Sequence, residues 1–99
     1  MIGTTPTHIF TLPFDPALLK RIKITYAQNG KVILEKYETD CTIEGREIRL
    51  ELSQEDTFKF DERSIVDIQI RVLTHDGKAP KTPVYHIRPD ECLDTEVLS

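Results

Sequence analysis

The sequence predicts a small all-β domain: an antiparallel sandwich of about six or seven strands with no substantial helix. The stretch Ser64–Gly77 alternates polar residues with a β-branched series, Val66, Ile68, Ile70 and Val72. A period of two is typical of a strand with one face in a core. Similar stretches recur about every 8–12 residues, separated by turn-forming pairs. We expect an immunoglobulin-like sandwich, with a small β-barrel as the alternative.

The first half of the chain contains two predicted strands before its clearest turn. Thr4–Leu12 is interpreted as an extended arm and first strand, because Pro6 keeps its beginning out of a central position. Asp15 is expected to cap a single turn, with Leu18 or Leu19 closing one end of the core. Lys20–Gln28 then alternates with three inward residues, Ile22, Ile24 and Tyr26. Asn29-Gly30 predicts a two-residue hairpin.

The return strand of that hairpin is Lys31–Glu38, whose charged end indicates an edge. Thr39–Ile43 is expected to be a loop or a short strand. Arg46–Leu52 alternates again, with Ile48, Leu50 and Leu52 facing inward. Ser53–Thr57 predicts a one-turn crossover with Ser53 as its N-terminal cap.

The second half is organised by the central strand, Ile65–Thr74. Phe58 and Phe60 precede it and are expected to face one way, with at least one ring closing the core. Asp76-Gly77 predicts the turn that follows. The last strand, Thr82–Arg88, is expected at an edge because Pro83 lacks a donor.

Length and composition indicate a single domain spanning residues 1–99, with a possible arm or strand at 1–12 and an acidic tail at 89–99. The net charge of −4 argues against a nucleic-acid partner, which would need a basic face. The nearest basic cluster, Lys20-Arg21-Lys23, is interpreted as solvent-facing residues at the start of a strand.

The sequence shows no secretory signal and no apolar stretch of the roughly 20 residues that span a bilayer. We therefore expect synthesis in the cytoplasm and no membrane partner. The two cysteines, Cys41 and Cys92, have no metal-binding spacing. Free thiols are expected in a reducing compartment, and a disulfide between them is the alternative.

No catalytic, cofactor-binding or metal-binding residue is predicted, and no small-molecule substrate is evident. His8 and His86 lie on the first and last strands, so with Asp90 they form a metal site only if those strands pair. Ordinary strand histidines are the preferred interpretation, with His75 exposed beside a turn. The acidic pairs Glu55-Asp56 and Asp61-Glu62 are interpreted as solvated loops.

A few apolar residues fall outside the inward pattern: Ile9, Ile33, Leu73 and the aliphatic side chains of the tail. Such residues mark either a subunit contact or a surface covered by the domain's own loops.

The whole chain resembles small uncharacterised proteins of Firmicutes phages and prophage-like elements. The resemblance lies in Thr4–Asp15, Tyr26–Gly30, Leu52–Phe60, Gln69–Gly77 and Leu93–Leu98. None of these stretches carries catalytic chemistry. The resemblance implies a phage-encoded protein, part of a head or tail module.

From these observations we expect a non-enzymatic structural or assembly protein of a phage particle, associated with the virion. Its expected partners are proteins, either further copies of itself or a larger phage structural protein, and an oligomer is expected. Residues 4–12 and 89–99 are the predicted attachment elements, since extended segments add readily to a neighbour's sheet edge. The alternative is a cytoplasmic binding module, a small acidic adaptor or inhibitor.

Overall fold

Two four-stranded sheets pack face to face. The computed structural model describes residues 5–12, 15, 18–80, 82, 84–88 and 96–97. Eight strands lie in these ranges: β1 (Thr7–Thr11), β2 (Leu19–Gln28), β3 (Lys31–Tyr37), β4 (Thr42–Glu44), β5 (Glu47–Glu51), β6 (Val66–Thr74), β7 (Val84–Ile87) and β8 (Glu96–Val97). The one α-helix there, α1 (Gln54–Thr57), is a single turn, and a 3₁₀ turn occupies Glu38–Asp40. The prediction of a small all-β sandwich is confirmed.

The strand order matches an immunoglobulin-like sandwich. Sheet I has the order β4-β5-β1-β8, and sheet II has the order β3-β2-β6-β7. Three hairpins (β2–β3, β4–β5 and β6–β7) alternate with connections that cross between the sheets. Strands β4, β5 and β1 therefore correspond to D, E and B of that fold, and sheet II corresponds to C′, C, F and G. The two-residue β8 lies parallel to β1, beside it in the place of strand A.

The core lies between the sheets and is built by the predicted alternation. Sheet I contributes Phe10, Leu12, Ile48, Leu50 and Leu52, and sheet II contributes Ile22, Ile24, Tyr26, Leu34, Val66, Ile68, Ile70 and Val72. Burying each large aliphatic side chain stabilises the fold by about 1.5–3 kcal/mol. Strand β6 pairs with β2 on one side and β7 on the other, so the predicted central strand is central in sheet II.

Strand β1 belongs to the domain's own sheet. It pairs with β5 over its whole length, from Thr7 opposite Glu51 to Thr11 opposite Glu47. The described part of the predicted attachment arm is therefore not free to join a neighbour's sheet. Of the predicted tail, Glu96–Val97 is described and pairs with Thr7 and His8; the rest of 89–99 lies outside the described residues.

The turns follow the local sequence closely. Asn29 and Gly30 adopt φ values of 55° and 75°, the left-handed pair that a two-residue hairpin requires. At α1, the Ser53 hydroxyl accepts from the Asp56 amide at 3.1 Å, and the Asp56 carboxylate accepts from the Ser53 amide at 3.0 Å. This reciprocal capping box fixes the crossover from β5 toward β6.

The predictions about the two core ends are confirmed, except that Phe58 and Phe60 do not face one way. Phe60 is buried as expected, but Phe58 is 63% exposed, because the one-turn helix rotates the two rings to different sides. Leu19 packs partly against the core, whereas Leu18 remains 58% exposed.

Candidate interaction surface

The two strand histidines lie in different sheets and do not meet. His8 on β1 is fully buried, and its Nδ1 lies 2.6 Å from the Tyr26 hydroxyl on β2. His86 on β7 lies on the outside of sheet II, with Nδ1 2.5 Å from Asp67 Oδ1. Asp90 lies outside the described residues. Across the described ranges, no group of three or more His, Cys, Asp or Glu side chains is arranged to hold a metal ion.

The acidic pairs also have local roles. Burial opposes ionisation of Asp56, but hydrogen bonds from Lys36 and Ser53 outweigh it and hold the pKa of Asp56 below its ordinary value. The Lys36 ammonium lies 3.0 Å from Asp56 Oδ2 and ties edge strand β3 to α1. The Asp61 carboxylate accepts from the Arg63 amide, which lowers the pKa of Asp61. Asp56 and Asp61 therefore stabilise turns.

Cys41 is a free, partly buried thiol whose Sγ lies 3.4 Å from the Tyr37 carbonyl oxygen. Burial is the main cause that raises the pKa of Cys41 to about 11. A nucleophilic cysteine requires the opposite shift. Cys92 lies outside the described residues.

The outer face of sheet II carries the exposed side chains of strands β2, β3, β6 and β7. Four cross-strand rows form it: Arg21–Leu73; Tyr37–Lys23–Arg71; Glu35–Thr25–Gln69–Val84; and Val32–Ala27–Asp67–His86. We call this set the sheet II outer face. Three large apolar side chains in it are strongly exposed: Val32 at 53%, Tyr37 at 46% and Val84 at 51%.

Ion pairs neutralise part of this face. The Lys23 ammonium lies 2.7 Å from Glu35 Oε2, and the hydrogen bond and charge of Glu35 raise the pKa of Lys23. His86 and Asp67 form the second pair. Arg21 and Arg71 have no acidic partner among the described residues. The sheet II outer face thus combines exposed apolar side chains, the Lys23–Glu35 ion pair, the His86–Asp67 contact and two guanidinium groups that have no acidic partner in the described part of the chain.

The apolar residues singled out from the sequence behave differently. Ile9 is only 8% exposed, so it is covered within the chain, and Ile33 packs against the core because a β-bulge places it opposite the Tyr26–Ala27 step. The exposed residues of the sheet II outer face were missed. Only the strand register places them on one face, since Tyr37 lies opposite Lys23 and Val84 lies opposite Gln69.

A hollow of about 570 Å³ opens at the end of sheet II. Leu18, Ala79 and Pro80 form its apolar part, and Lys78 and His75 lie at its wall. The Thr74 hydroxyl donates a hydrogen bond to the Asp76 carboxylate, and this bond lowers the pKa of Asp76. The same bond stabilises the turn at the end of β6. The hollow lies beside the β6–β7 connection, at the same end of sheet II as Arg21.

Comparison with protein-family models, with curated proteins and with solved structures finds no match for the chain. In the described residues, no helix is both long and apolar enough to cross a membrane. The candidate interaction surface is therefore supported by its exposed residues and contacts alone.

Proposed function

We propose that this chain is a non-enzymatic structural or assembly protein of a phage or prophage particle, acting through protein–protein contacts of the sheet II outer face. The observation that carries the proposal is the exposure of Val32, Tyr37 and Val84 on a face whose charges are largely paired. Contact surfaces of non-obligate complexes have this mixed composition, with aromatic side chains enriched and charges paired or kept to the rim.

The phage context of the proposal is supported by the sequence resemblance to small proteins of Firmicutes phages. The edges of both sheets are limited: β4 and β8 are short, and β3 carries a bulge, which discourages uncontrolled edge pairing. A broad sheet face is then the better contact.

The test compares particles made by a strain in which the gene for this chain is deleted and each variant is supplied from a plasmid. Tyr37→Ser and Val84→Ser remove apolar contact area from the sheet II outer face. Phe58→Ser is the matched control, since Phe58 is 63% exposed outside that face. Mass spectrometry of purified particles should show at least a several-fold loss of the two face variants and normal copy number for the control.

Equal incorporation of all three variants would overturn the role of this face. If the wild-type chain itself were missing from particles, the particle role would fail. A monomeric adaptor or inhibitor would then be the better description.

A further inference from the structure

The two outer faces of the sandwich carry opposite surplus charge. The outer face of sheet I is formed by three rows: Thr7–Glu51; Ile9–Arg49–Thr42; and Thr11–Glu47–Glu44. Ile9 in the middle row is buried, so the charge that this face presents comes from three glutamates and one arginine. Arg49 lies 3.4 Å from both Glu44 and Glu47, which leaves Glu51 without a basic partner among the described residues. Sheet I therefore presents a net negative face.

The sheet II outer face has the reverse balance. Counting Lys, Arg, Asp and Glu, it has three cations, Arg21, Lys23 and Arg71, against two carboxylates, Glu35 and Asp67. Both arginines are exposed, as are Glu44 and Glu51 on the other side of the molecule. In a chain with a net charge of −4, a positive face opposite a negative face is a directional arrangement rather than an even scatter.

Resting on the proposed function, we propose that the partner of the sheet II outer face is the outer face of sheet I of a second copy of this chain. Arg21 and Arg71 of one copy then face the Glu44, Glu47 and Glu51 side chains of the next. Like-to-like pairing is disfavoured, because two sheet II faces would bring four unpaired arginines together.

The contact is heterologous, since the sheet II outer face of one copy binds the sheet I outer face of the next. Repetition of such a contact produces a closed ring or an open stack. The size of the faces suits this role. The Cα atoms extend over 40 × 25 × 19 Å, and a standard interface needs about 800 Å² from each partner. Four strands about 4.8 Å apart, the longest of ten residues, give sheet II an outer face of that order.

The test is sedimentation velocity of purified protein at about 20 mM and about 300 mM NaCl, which screens exposed charges strongly. Wild-type protein should form species larger than a dimer at low salt and dissociate toward monomer at high salt. Arg21→Glu/Arg71→Glu and Glu44→Lys/Glu51→Lys should each remain monomeric. The control is Lys31→Glu/Lys59→Glu, which changes the net charge as much as the arginine variant does. Both lysines lie outside the two faces, so this variant should assemble like wild type.

Mixing the two face variants gives the decisive result. Each retains one intact face, and the two reversed faces are opposite in charge to one another, so an equimolar mixture should assemble again although each variant alone is monomeric. A wild-type monomer at low salt, normal assembly of either face variant alone, or assembly of the wild type without reassembly of the mixture would overturn the proposal. Circular dichroism checks that the variants are folded. Arg21→Gln/Arg71→Gln removes the two positive charges without reversing them and should weaken assembly less. Failure here leaves the particle assay of the proposed function independent, because a larger virion protein can still be the partner.

Discussion

His8 Nδ1 and the Tyr26 hydroxyl lie 2.6 Å apart and join the two sheets across the middle of the core. Both side chains are fully buried, and their ring centroids are 5.5 Å apart. Tyr26 also packs edge-on against Phe60. A polar link inside an apolar core specifies how one sheet is placed on the other, because each partner would lose its hydrogen bond if the sheets slipped.

Tyr26→Phe should therefore lower the free energy of unfolding by about 1–3 kcal/mol, the cost of removing one partner from a buried hydrogen bond. Urea denaturation followed by circular dichroism measures it. His8→Phe/Tyr26→Phe should cost less than the sum of the two single changes, since the double variant removes both polar groups. Additive losses would show that the pair contributes no coupling between the sheets.

Gln28 provides a second buried polar link, from the end of β2 to the loop before β6. Its Nε2 donates to the carbonyls of Asp61 and Ser64 at 2.8 and 2.9 Å, and its Oε1 accepts from the Asp61 amide at 2.8 Å. Gln28→Met keeps the volume but leaves these backbone groups without that partner. We expect a loss of about 1–3 kcal/mol in chemical denaturation. Gln69→Met, at an exposed position of the same sheet, should change stability by less than about 0.5 kcal/mol.

Asp56 should make stability depend on pH in the acidic range. Because its pKa is lowered in the folded state, its stabilisation is complete above the ordinary value of 3.8 and is lost as the pH falls through the lower folded pKa. The difference in unfolding free energy between wild type and Asp56→Asn should be largest near neutral pH, about 1 kcal/mol, and should shrink below about pH 4. Glu55→Gln, in the same turn and exposed, is the control. A difference that does not vary with pH would contradict this role for the carboxylate.

Cys41 should react slowly with alkylating reagents. Burial raises its pKa from 9.0 to about 11, so the thiolate fraction near pH 8 falls about a hundredfold. In a Cys92→Ser background, iodoacetamide labelling followed by mass spectrometry should be about two orders of magnitude slower in folded than in urea-unfolded protein. Equal rates in the two states would show that the thiol is not protected.

Much of the fold could be predicted because each strand carries its own periodic signal. Apolar and polar residues alternate from Val66 to Val72 over a long, central strand. Asn29-Gly30 specifies the β2–β3 hairpin, because both residues adopt the left-handed conformation. The same period places His8, Phe10 and Leu12 on one face of the first strand, and all three are buried. These signals are local, so no partner strand is needed to recognise them.

The candidate surface was much harder to predict, because it depends on register between distant strands. Nothing near Tyr37 or Val84 in the sequence indicates that each projects from the same sheet face. The sequence could not show that His8 would meet Tyr26 rather than His86, since that depends on β1 and β7 lying in different sheets. Phe58 was misplaced for a local reason, because a single helical turn before it changes which side its ring faces.

We propose that this chain is a component of a phage particle and works by protein–protein contact. Quantitative mass spectrometry of particles purified from an induced culture of the encoding strain tests it most directly. We predict that the chain is present at many copies per particle, at a fixed ratio to the major structural proteins. Abundant protein in the lysate with none in the particles would contradict the claim.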